Sequence, residues 1–279
     1  MVKPDKIRRL EKIACDLRAD VVRMIGIGKA GHLGGSCSLA EIVAALYFEK
    51  MHFDPKALRD PNRDRFLVSK GHTVLTQYAA LVELGVIPRE EMGKVKTLAG
   101  KLQGHPDMMT PGMEAVTGSL GQGLSISVGM ALALRLAKSP SRVYVIMGDG
   151  ELAEGQVWEA AMAAARYGLD SITAIVDRNR IQATGPTNEI FDIPDIPEKW
   201  RAFGWNVLNV NGHDVGAILD VLDEAAAEKG APTVIVADTI KGKGVSFAEN
   251  LAAFHNAALT QEQYDKALLE IEETGRKLQ

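Results

Sequence analysis

Short apolar runs alternate with helical patterns along much of this chain, and no other feature limits its possible folds so strongly. Five runs of strand length, rich in β-branched residues, lie at 65–68, 142–147, 172–176, 205–210 and 233–237. Helical patterns separate several of them, including an alanine-rich one at 155–167 and another at 214–229. Strands that alternate with helices form a mostly parallel sheet covered by helices on both faces. We therefore predict a doubly wound α/β fold.

Further helices are predicted near both ends of the chain. Apolar residues recur every three or four positions over 5–25, which is typical of an amphipathic helix. After a glycine-rich turn, Ser38 precedes an apolar run and Glu41 follows three positions later, which predicts a capping box at a helix start. The proline-containing stretch 185–200 is predicted to be a loop on the ligand side, and 261–277 a final helix.

The length, charge and cysteine content narrow the class of protein. A chain of 279 residues can bury one large core, and no Pro- or Ser-rich linker divides it, so we expect residues 1–279 to form a single domain. A net charge of −4 without a basic stripe argues against nucleic acid or an anionic membrane as the main partner. No apolar run has the length of a membrane span. Cys15 and Cys37 lack disulfide or metal-ligand spacing, which indicates a cytoplasmic protein.

Two polar residues directly follow neighbouring predicted strands. Asp149 ends one strand and Asn179 ends the next, 30 positions later, which suits a single strand-helix-strand crossover. If these strands are about 4.8 Å apart, both side chains reach one ion at the carboxyl edge of the sheet. A carboxylate and an amide oxygen suit magnesium, which takes its other ligands from phosphates and water. The pair therefore predicts a magnesium-diphosphate site.

The residues around Asp149 favour an anion at the same place. Gly148 and Gly150 allow a sharp turn and a close approach to phosphates. The helix predicted at 155–167 begins near enough for its amino-terminal dipole to attract an anion. Taken alone, Gly-Asp-Gly is more often an ordinary turn and Asn179 a helix cap or loop residue.

Six histidines occur in the chain, and four of them adjoin glycines or lie in loops expected at strand ends. A single histidine is more often structural, but neutral imidazole is the natural acid and base for hydroxyls and carbonyls near pH 7. The four candidates are His32, His72, His105 and His255. We expect His52 and His213 to serve only in loop or surface packing.

A glycine-rich stretch and a basic turn are weaker signals. The stretch that contains Gly118 and Leu120 leads into an apolar helix, which by itself only weakly suggests an anion site. The basic turn that begins at Lys241 is a possible phosphate contact, although a solvated surface turn is the more ordinary interpretation.

Together these motifs resemble those of the transketolase family over nearly the whole chain. The resemblance is carried by GDGELAEGQVWEAAMAAARYGL followed by Asn179, by TGSLGQG, and by the contexts GHLGG, SKGH and GHP around histidines. It implies a thiamine diphosphate-binding fold in which Asp149, Asn179 and the carbonyl of Ile181 bind Mg²⁺, or another divalent cation such as Ca²⁺ or Mn²⁺.

The same resemblance implies roles for further residues. Cofactor contacts are expected from His72, Gly118, Leu120, Gly148, Gly150, Glu154, Asn179 and His255. Catalytic roles are expected for His32, His72, His105, Glu154 and His255. Glu154 matches a glutamate of the family's dimer interface, a role for which Glu151 competes. Two departures are Phe254-His255-Asn256, where many split members have Trp-His-Gly, and Ala183-Thr184, where many members have Ile-Asp.

Full-length members of the family continue for a comparable length beyond the part that this chain resembles. That additional part holds their aminopyrimidine domain. The resemblance therefore implies a subunit that works with a separate carboxyl-terminal chain, as a heterotetramer of two copies of each. Together they would transfer a two-carbon ketol unit between sugars, with sugar phosphates as substrates. The alternatives are an enzyme acting on a 2-oxo acid, similar to deoxyxylulose-phosphate synthase, and a non-catalytic homologue.

Overall fold

The computed structural model describes residues 3–278, whose main sheet has five strands in the order β2-β3-β4-β6-β5. All neighbouring strands in this sheet are parallel. A separate antiparallel ribbon pairs β1 with β7. The strands are β1 (Ala30–Gly31), β2 (Arg65–Val68), β3 (Val143–Gly148), β4 (Ile172–Arg178), β5 (Asn206–Asn211), β6 (Thr233–Asp238) and β7 (Ala257–Ala258).

Helices connect the strands and cover both faces of the main sheet. The α-helices are α1 (Pro4–Ile25), α2 (Leu33–Cys37), α3 (Ala40–Ala45), α4 (Leu75–Glu83), α5 (Gln122–Leu136), α6 (Gly155–Arg166), α7 (Thr187–Ile190), α8 (Ile196–Ala202), α9 (Val215–Ala227) and α10 (Gln261–Arg276). A π-helical turn (Leu46–Lys50) extends α3. Short 3₁₀ helices span Gly71–Thr73, Arg89–Lys94, Gly150–Ala153 and Ala252–Phe254.

Alternate residues of the buried strands point to opposite faces and build two core clusters. On β3, Tyr144 and Ile146 face the cluster formed with α1, α3, α4 and α9. Val143 and Val145 face the cluster formed with α5, α6 and α8. Because both faces are covered, the strands are apolar throughout, as expected for a parallel sheet. The predicted doubly wound α/β fold is confirmed.

The local prediction at Ser38 is wrong, because its hydroxyl does not cap a helix. Ser38 Oγ donates instead to Asp177 Oδ2 at 2.7 Å, and the carbonyl of Gly35 lies 2.9 Å from the same hydroxyl. Glu41 is buried and pairs with Arg18 rather than reaching back to a helix start. Long-range polar contacts have therefore replaced the local capping box that the sequence pattern predicted.

Most other predicted elements lie where the sequence placed them. The helix predicted at 5–25 is α1, and the one predicted at 261–277 is α10, which begins with a capping box at Thr260. The stretch 185–200 contains two short helices, α7 and most of α8, in addition to loop residues. No helix among residues 3–278 is both long and apolar enough to cross a membrane.

Candidate active site

The carboxyl ends of β3 and β4 bring the predicted metal ligands together. The two strands are parallel neighbours, with Gly148 opposite Asp177, so Asp149 and Asn179 lie at one edge of the sheet. The main chain links them further, because Arg180 N donates to Asp149 Oδ2 at 2.6 Å. Ile181 N donates to Asn179 Oδ1 at 3.1 Å. The predicted adjacency of the strand ends is confirmed.

The surroundings of Asp149 favour a cation. Burial, followed by the nearby charge of Asp177, raises the pKa of this carboxyl above its usual range. Among residues 3–278 no group of three or more His, Cys, Asp and Glu side chains could hold a metal by itself. One carboxylate, one amide oxygen and one carbonyl form a donor set that suits Mg²⁺ when phosphates and water supply the other ligands. The residues present therefore fit a magnesium-diphosphate group.

A cavity of about 500 Å³ opens over these strand ends. Every residue that the sequence predicted to have a site role contributes to its wall. These residues are His32, His72, His105, Gly118, Leu120, Gly148, Asp149, Gly150, Glu154, Asn179, Ile181 and His255. The structure thus gathers residues spread over more than 220 positions into one cavity, while their individual roles stay predictions.

Two lysines at the cavity are buried, which the sequence did not reveal. Lys70 and Lys241 both line it and are only 3% and 2% exposed. Lys70 forms an ion pair with the fully buried Asp177. Lys241, which we expected in a solvated turn, instead donates to the carbonyl of Ile181 at 2.7 Å. The SKGH motif could have indicated Lys70 as a candidate site residue. The burial of the two lysines cannot be predicted from the sequence around them.

Contact with Lys241 fixes the orientation of His255. Lys241 Nζ lies 2.9 Å from His255 Nδ1. Burial and the charge of Lys70 lower the pKa of Lys241 to about 8, so it remains mostly an ammonium at pH 7. An ammonium can only donate, so Nδ1 accepts and the neutral ring carries its proton on Nε2. His255 therefore offers an N–H donor from its other ring nitrogen.

The four predicted histidines form one cluster on the cavity wall. The ring of His32 lies at its centre, with centroids 4.9 Å from His72, 5.4 Å from His255 and 6.2 Å from His105. The rings of His72 and His255 are 5.0 Å apart. The rings come from separate loops and short helices, which is why only the tertiary fold could reveal how closely they approach.

Burial and neighbouring positive charges keep these imidazoles neutral. Burial first, and then Lys96, lowers the pKa of His32 to about 4. Burial with the charge of Lys70 lowers the pKa of His72 to about 2, and burial with Lys241 lowers that of His255 to about 4. Neutral rings can both accept and donate hydrogen bonds at pH 7, which suits contacts with hydroxyls and carbonyls.

These lowered pKa values predict acid sensitivity of the folded chain. Between pH 6.5 and 5 the unfolded chain protonates His32, His72 and His255, whereas the folded chain leaves them neutral. Stability is therefore full above pH 6.5 and is lost as the pH falls, with uptake of up to about three protons on unfolding. Chemical denaturation at pH 7, 6 and 5 measures this slope. His72→Gln should reduce it, and equal slopes for both proteins would contradict the assignment.

The two competing glutamates occupy different environments. Glu151 is buried, and its carboxylate accepts from Ser69 Oγ, from Gly121 N at 2.9 Å and from Gly148 N at 3.1 Å. It therefore ties three segments together beneath the cavity. Glu154 is exposed at the cavity wall, immediately before α6. An exposed side chain is available to a second chain, so the interface prediction remains with Glu154.

Glycines shape the cavity mainly by permitting close packing. Gly118 has a φ of +132°, and a Cβ there would lie 2.4 Å from the ring of His105, so only glycine fits. Gly148 and Gly150 do not have left-handed φ values, so the sharp turn predicted there needs no special conformation. Space is the constraint at Gly150, where a Cβ would lie 3.1 Å from Gln182. Ala183 and Thr184 lie exposed on the cavity wall.

His213 does more than the surface packing predicted for it. Its Nδ1 lies 3.1 Å from the buried carboxylate of Glu41, and its Nε2 accepts from Ile240 N at 2.9 Å. The ring thereby joins α3 to the loop after β6, next to Lys241. The sequence context of His213 gave no sign of this, because Glu41 is 172 positions away. The ring of His52 lies 3.1 Å from the carbonyl of Asn62, and its main chain bonds with Asp64, in agreement with a loop role.

An open parallel sheet with a cavity over its strand ends defines the class: an α/β protein whose candidate ligand site lies at the carboxyl edge of the sheet. A family model described as "Transketolase, thiamine diphosphate binding domain" matches residues 10–271. The chain therefore belongs to the transketolase family, as the resemblance predicted, and corresponds to its thiamine diphosphate binding domain.

Curated relatives match the chain over nearly its whole length. It is 41% identical over 262 residues to an apulose-4-phosphate transketolase subunit from Phocaeicola vulgatus, covering 94% of this chain and 93% of the relative. It is 43% identical over 271 residues to a 6-deoxy-6-sulfo-D-fructose transketolase subunit from a Clostridium species, covering 95% and 98%. Both relatives are named as subunits.

Solved structures of longer transketolases share the fold. A transketolase from Pichia stipitis superposes with a TM-score of 0.87 at 30% identity, covering 96% of this chain and 45% of that one. The transketolase of Campylobacter jejuni gives a TM-score of 0.87 at 30% identity, covering 97% and 43%. The chain thus spans less than half the length of these solved transketolases.

Proposed function

We propose that this chain binds Mg²⁺ and thiamine diphosphate and, with a separate carboxyl-terminal chain, transfers a two-carbon ketol unit from a ketose to an aldose. The observation that carries the proposal is the meeting of Asp149, Asn179 and Ile181 at neighbouring strand ends, over a cavity lined by two buried lysines. Membership of the transketolase family supports both the cofactor and the reaction.

The charges of the cavity suit a magnesium-diphosphate group. Asp149 and Asn179 would hold the cation through side-chain oxygens, and Ile181 through its carbonyl. Lys70 and Lys241 would face the diphosphate from the cavity wall and would allow a protein of net charge −4 to hold a polyanion. Gly118, Leu120, Gly148 and Gly150 would allow the cofactor to lie close to the backbone.

The histidine cluster would handle protons around the substrate. Thiamine diphosphate, when bound, supplies the carbanion chemistry that breaks and forms the carbon-carbon bond. His255 would donate from Nε2, because Lys241 occupies Nδ1. His32, His72 and His105, kept neutral by their lowered pKa values, would form hydrogen bonds to the hydroxyls of the sugar and exchange protons with them.

A second polypeptide would complete the active site. Two relatives that match the chain nearly end to end are named as transketolase subunits, and this chain covers only 45% of the solved Pichia stipitis transketolase chain. We propose a heterotetramer with two copies of each chain, in which Glu154 contacts a neighbouring subunit. Sugar phosphates are the proposed substrates, and the exposed Ala183 and Thr184 would shape the pocket for the donor.

Calorimetric titration of the isolated chain with thiamine diphosphate tests the proposal. We expect saturable binding at one site per chain in the presence of Mg²⁺ and much weaker binding in EDTA, because the metal links the diphosphate to Asp149. Thiamine without phosphates is the matched control and should bind poorly. Absence of binding with Mg²⁺ present would refute the cofactor assignment and favour a non-catalytic homologue.

A further inference from the structure

Asp177 lies beside the cavity, and its side chain is a fully buried carboxylate. Both of its oxygens accept hydrogen bonds. Located one residue before the end of β4, it has 0% exposure. Its Oδ2 accepts from Ser38 Oγ at 2.7 Å, from Asn179 Nδ2 at 2.9 Å and from Lys70 Nζ. Its Oδ1 accepts from Thr239 Oγ1. Four segments that surround the strand ends therefore converge on this one carboxylate.

The contact with Asn179 determines which way its amide faces. A carboxylate only accepts hydrogen bonds, so Asn179 must present Nδ2 to Asp177. Its Oδ1 then points to the other side, where it accepts from Ile181 N at 3.1 Å. An amide free to rotate would offer a metal its NH₂ group in half of its orientations. Asp177 removes that alternative and leaves the oxygen available.

The contact with Lys70 fixes a positive charge at the cavity wall. Lys70 is 3% exposed and lines the cavity, and Asp177 is its ion-pair partner. A long lysine side chain has several rotatable bonds, so an anchored ammonium loses less freedom when an anion binds. Ser38 and Thr239 donate to the same carboxylate from two other segments and satisfy acceptor positions that Lys70 and Asn179 do not use.

We infer that Asp177 is a positioning residue for the magnesium-diphosphate site: it turns the amide oxygen of Asn179 toward the metal and holds Lys70 at the cavity wall. Asp177 itself does not line the cavity, so it acts through these two neighbours. The inference rests on the proposed function of the cavity. It adds a residue for which no role was predicted from the sequence.

The test is the affinity of the full chain for thiamine diphosphate with Mg²⁺, measured by calorimetry for Asp177→Asn. The new amide has the shape of the carboxylate, but it cannot accept from all four donors at once. We expect affinity to fall by about 10-fold to 100-fold, as for other residues that orient metal ligands. Electron paramagnetic resonance of bound Mn²⁺ gives a second readout, because a changed ligand orientation alters its spectrum.

Three further variants, Thr239→Val, Lys70→Met and Lys70→Met with Asp177→Asn, separate positioning from loss of a charge partner. Thr239→Val is the matched control: it removes one buried donor to Asp177 but leaves the contacts with Asn179 and Lys70. Its affinity should stay within about threefold of wild type. Lys70→Met with Asp177→Asn removes both charges of the pair, so it tests the orientation of Asn179 even if Asp177→Asn alone does not fold.

The outcomes are distinct. If the wild-type chain does not bind the cofactor, the proposed function itself fails. If it binds and Asp177→Asn binds equally tightly, only the positioning role is overturned. The double variant should bind at least about 10-fold more weakly than Lys70→Met alone. Equal affinities of these two, or an equal loss in Thr239→Val, would show that Asp177 only balances charge or supports the fold.

Discussion

Asp149→Ala is expected to abolish binding of thiamine diphosphate and Mg²⁺ while leaving the chain folded. Asp149 is the only carboxylate among the proposed metal ligands, and it is 7% exposed. Its loss should weaken cofactor binding by at least about 100-fold, more than the loss of a residue that merely orients a ligand. In the absence of cofactor, the change has two opposing effects on stability.

These opposing effects limit the change in the melting temperature of the cofactor-free chain. Backbone N–H groups of Gly150 and Arg180 lose the acceptor that Asp149 provides, which costs roughly 1–3 kcal/mol. Removal of a buried carboxylate near Asp177 offsets part of that cost, because burial and Asp177 already raise the pKa of Asp149. We therefore expect a decrease of only a few degrees, roughly 2–6 °C.

Thermal unfolding with and without cofactor measures this prediction. At 100 times the dissociation constant, ligand should stabilise the wild-type chain by about 2.7 kcal/mol, whereas Asp149→Ala should show no shift. Asp170→Ala is the matched control, since Asp170 precedes β4 at the opposite edge of the sheet and accepts from Gly230 N. Wild-type affinity in Asp149→Ala would exclude this residue as a metal ligand.

His32→Ala is expected to lower the turnover rate of the two-chain enzyme strongly. The ring of His32 lies within 6.2 Å of the three other histidine rings, so it occupies the centre of the proposed proton-handling cluster. Loss of a general acid or base typically lowers the rate by about 100-fold to 10,000-fold. Affinity of the isolated chain for thiamine diphosphate should change little, since His32 is not a proposed ligand of the metal or diphosphate.

Steady-state ketol transfer by the assembled enzyme provides the measurement. His52→Ala is the matched control, because His52 contacts Asn62 near the start of β2, at the other edge of the sheet. The control should keep the wild-type rate. A wild-type kcat in His32→Ala would remove this ring from the proton-handling cluster.

The fold and the meeting of Asp149 with Asn179 at neighbouring strand ends could be predicted because short-range patterns encode them. Apolar runs of strand length marked the five strands, and a 30-residue spacing indicated that Asp149 and Asn179 end neighbouring strands. In a parallel sheet, such neighbours must meet at one edge. Glycine-flanked histidines marked loops at that edge. These inferences needed only the local pattern and the geometry of a crossover.

The buried polar network could not be predicted, because its partners are far apart in sequence. Ser38 lies 139 positions from Asp177, so its local context suggested a helix cap when the hydroxyl in fact serves the strand end. The residues around Lys241 are typical of a solvent-exposed turn, yet Lys241 is only 2% exposed. A charged side chain is buried only where tertiary structure provides a partner, and sequence patterns do not show that partner.

Ketol transfer by the chain with and without its partner tests most directly whether it forms half of a transketolase active site. Both chains should be prepared separately and supplied with thiamine diphosphate, Mg²⁺, a ketose phosphate and an aldose acceptor. We expect no transfer from either chain alone, rapid transfer from the mixture, and none when Asp149→Ala replaces the wild-type chain. Robust transfer by this chain alone, or none by the mixture, would contradict the proposal.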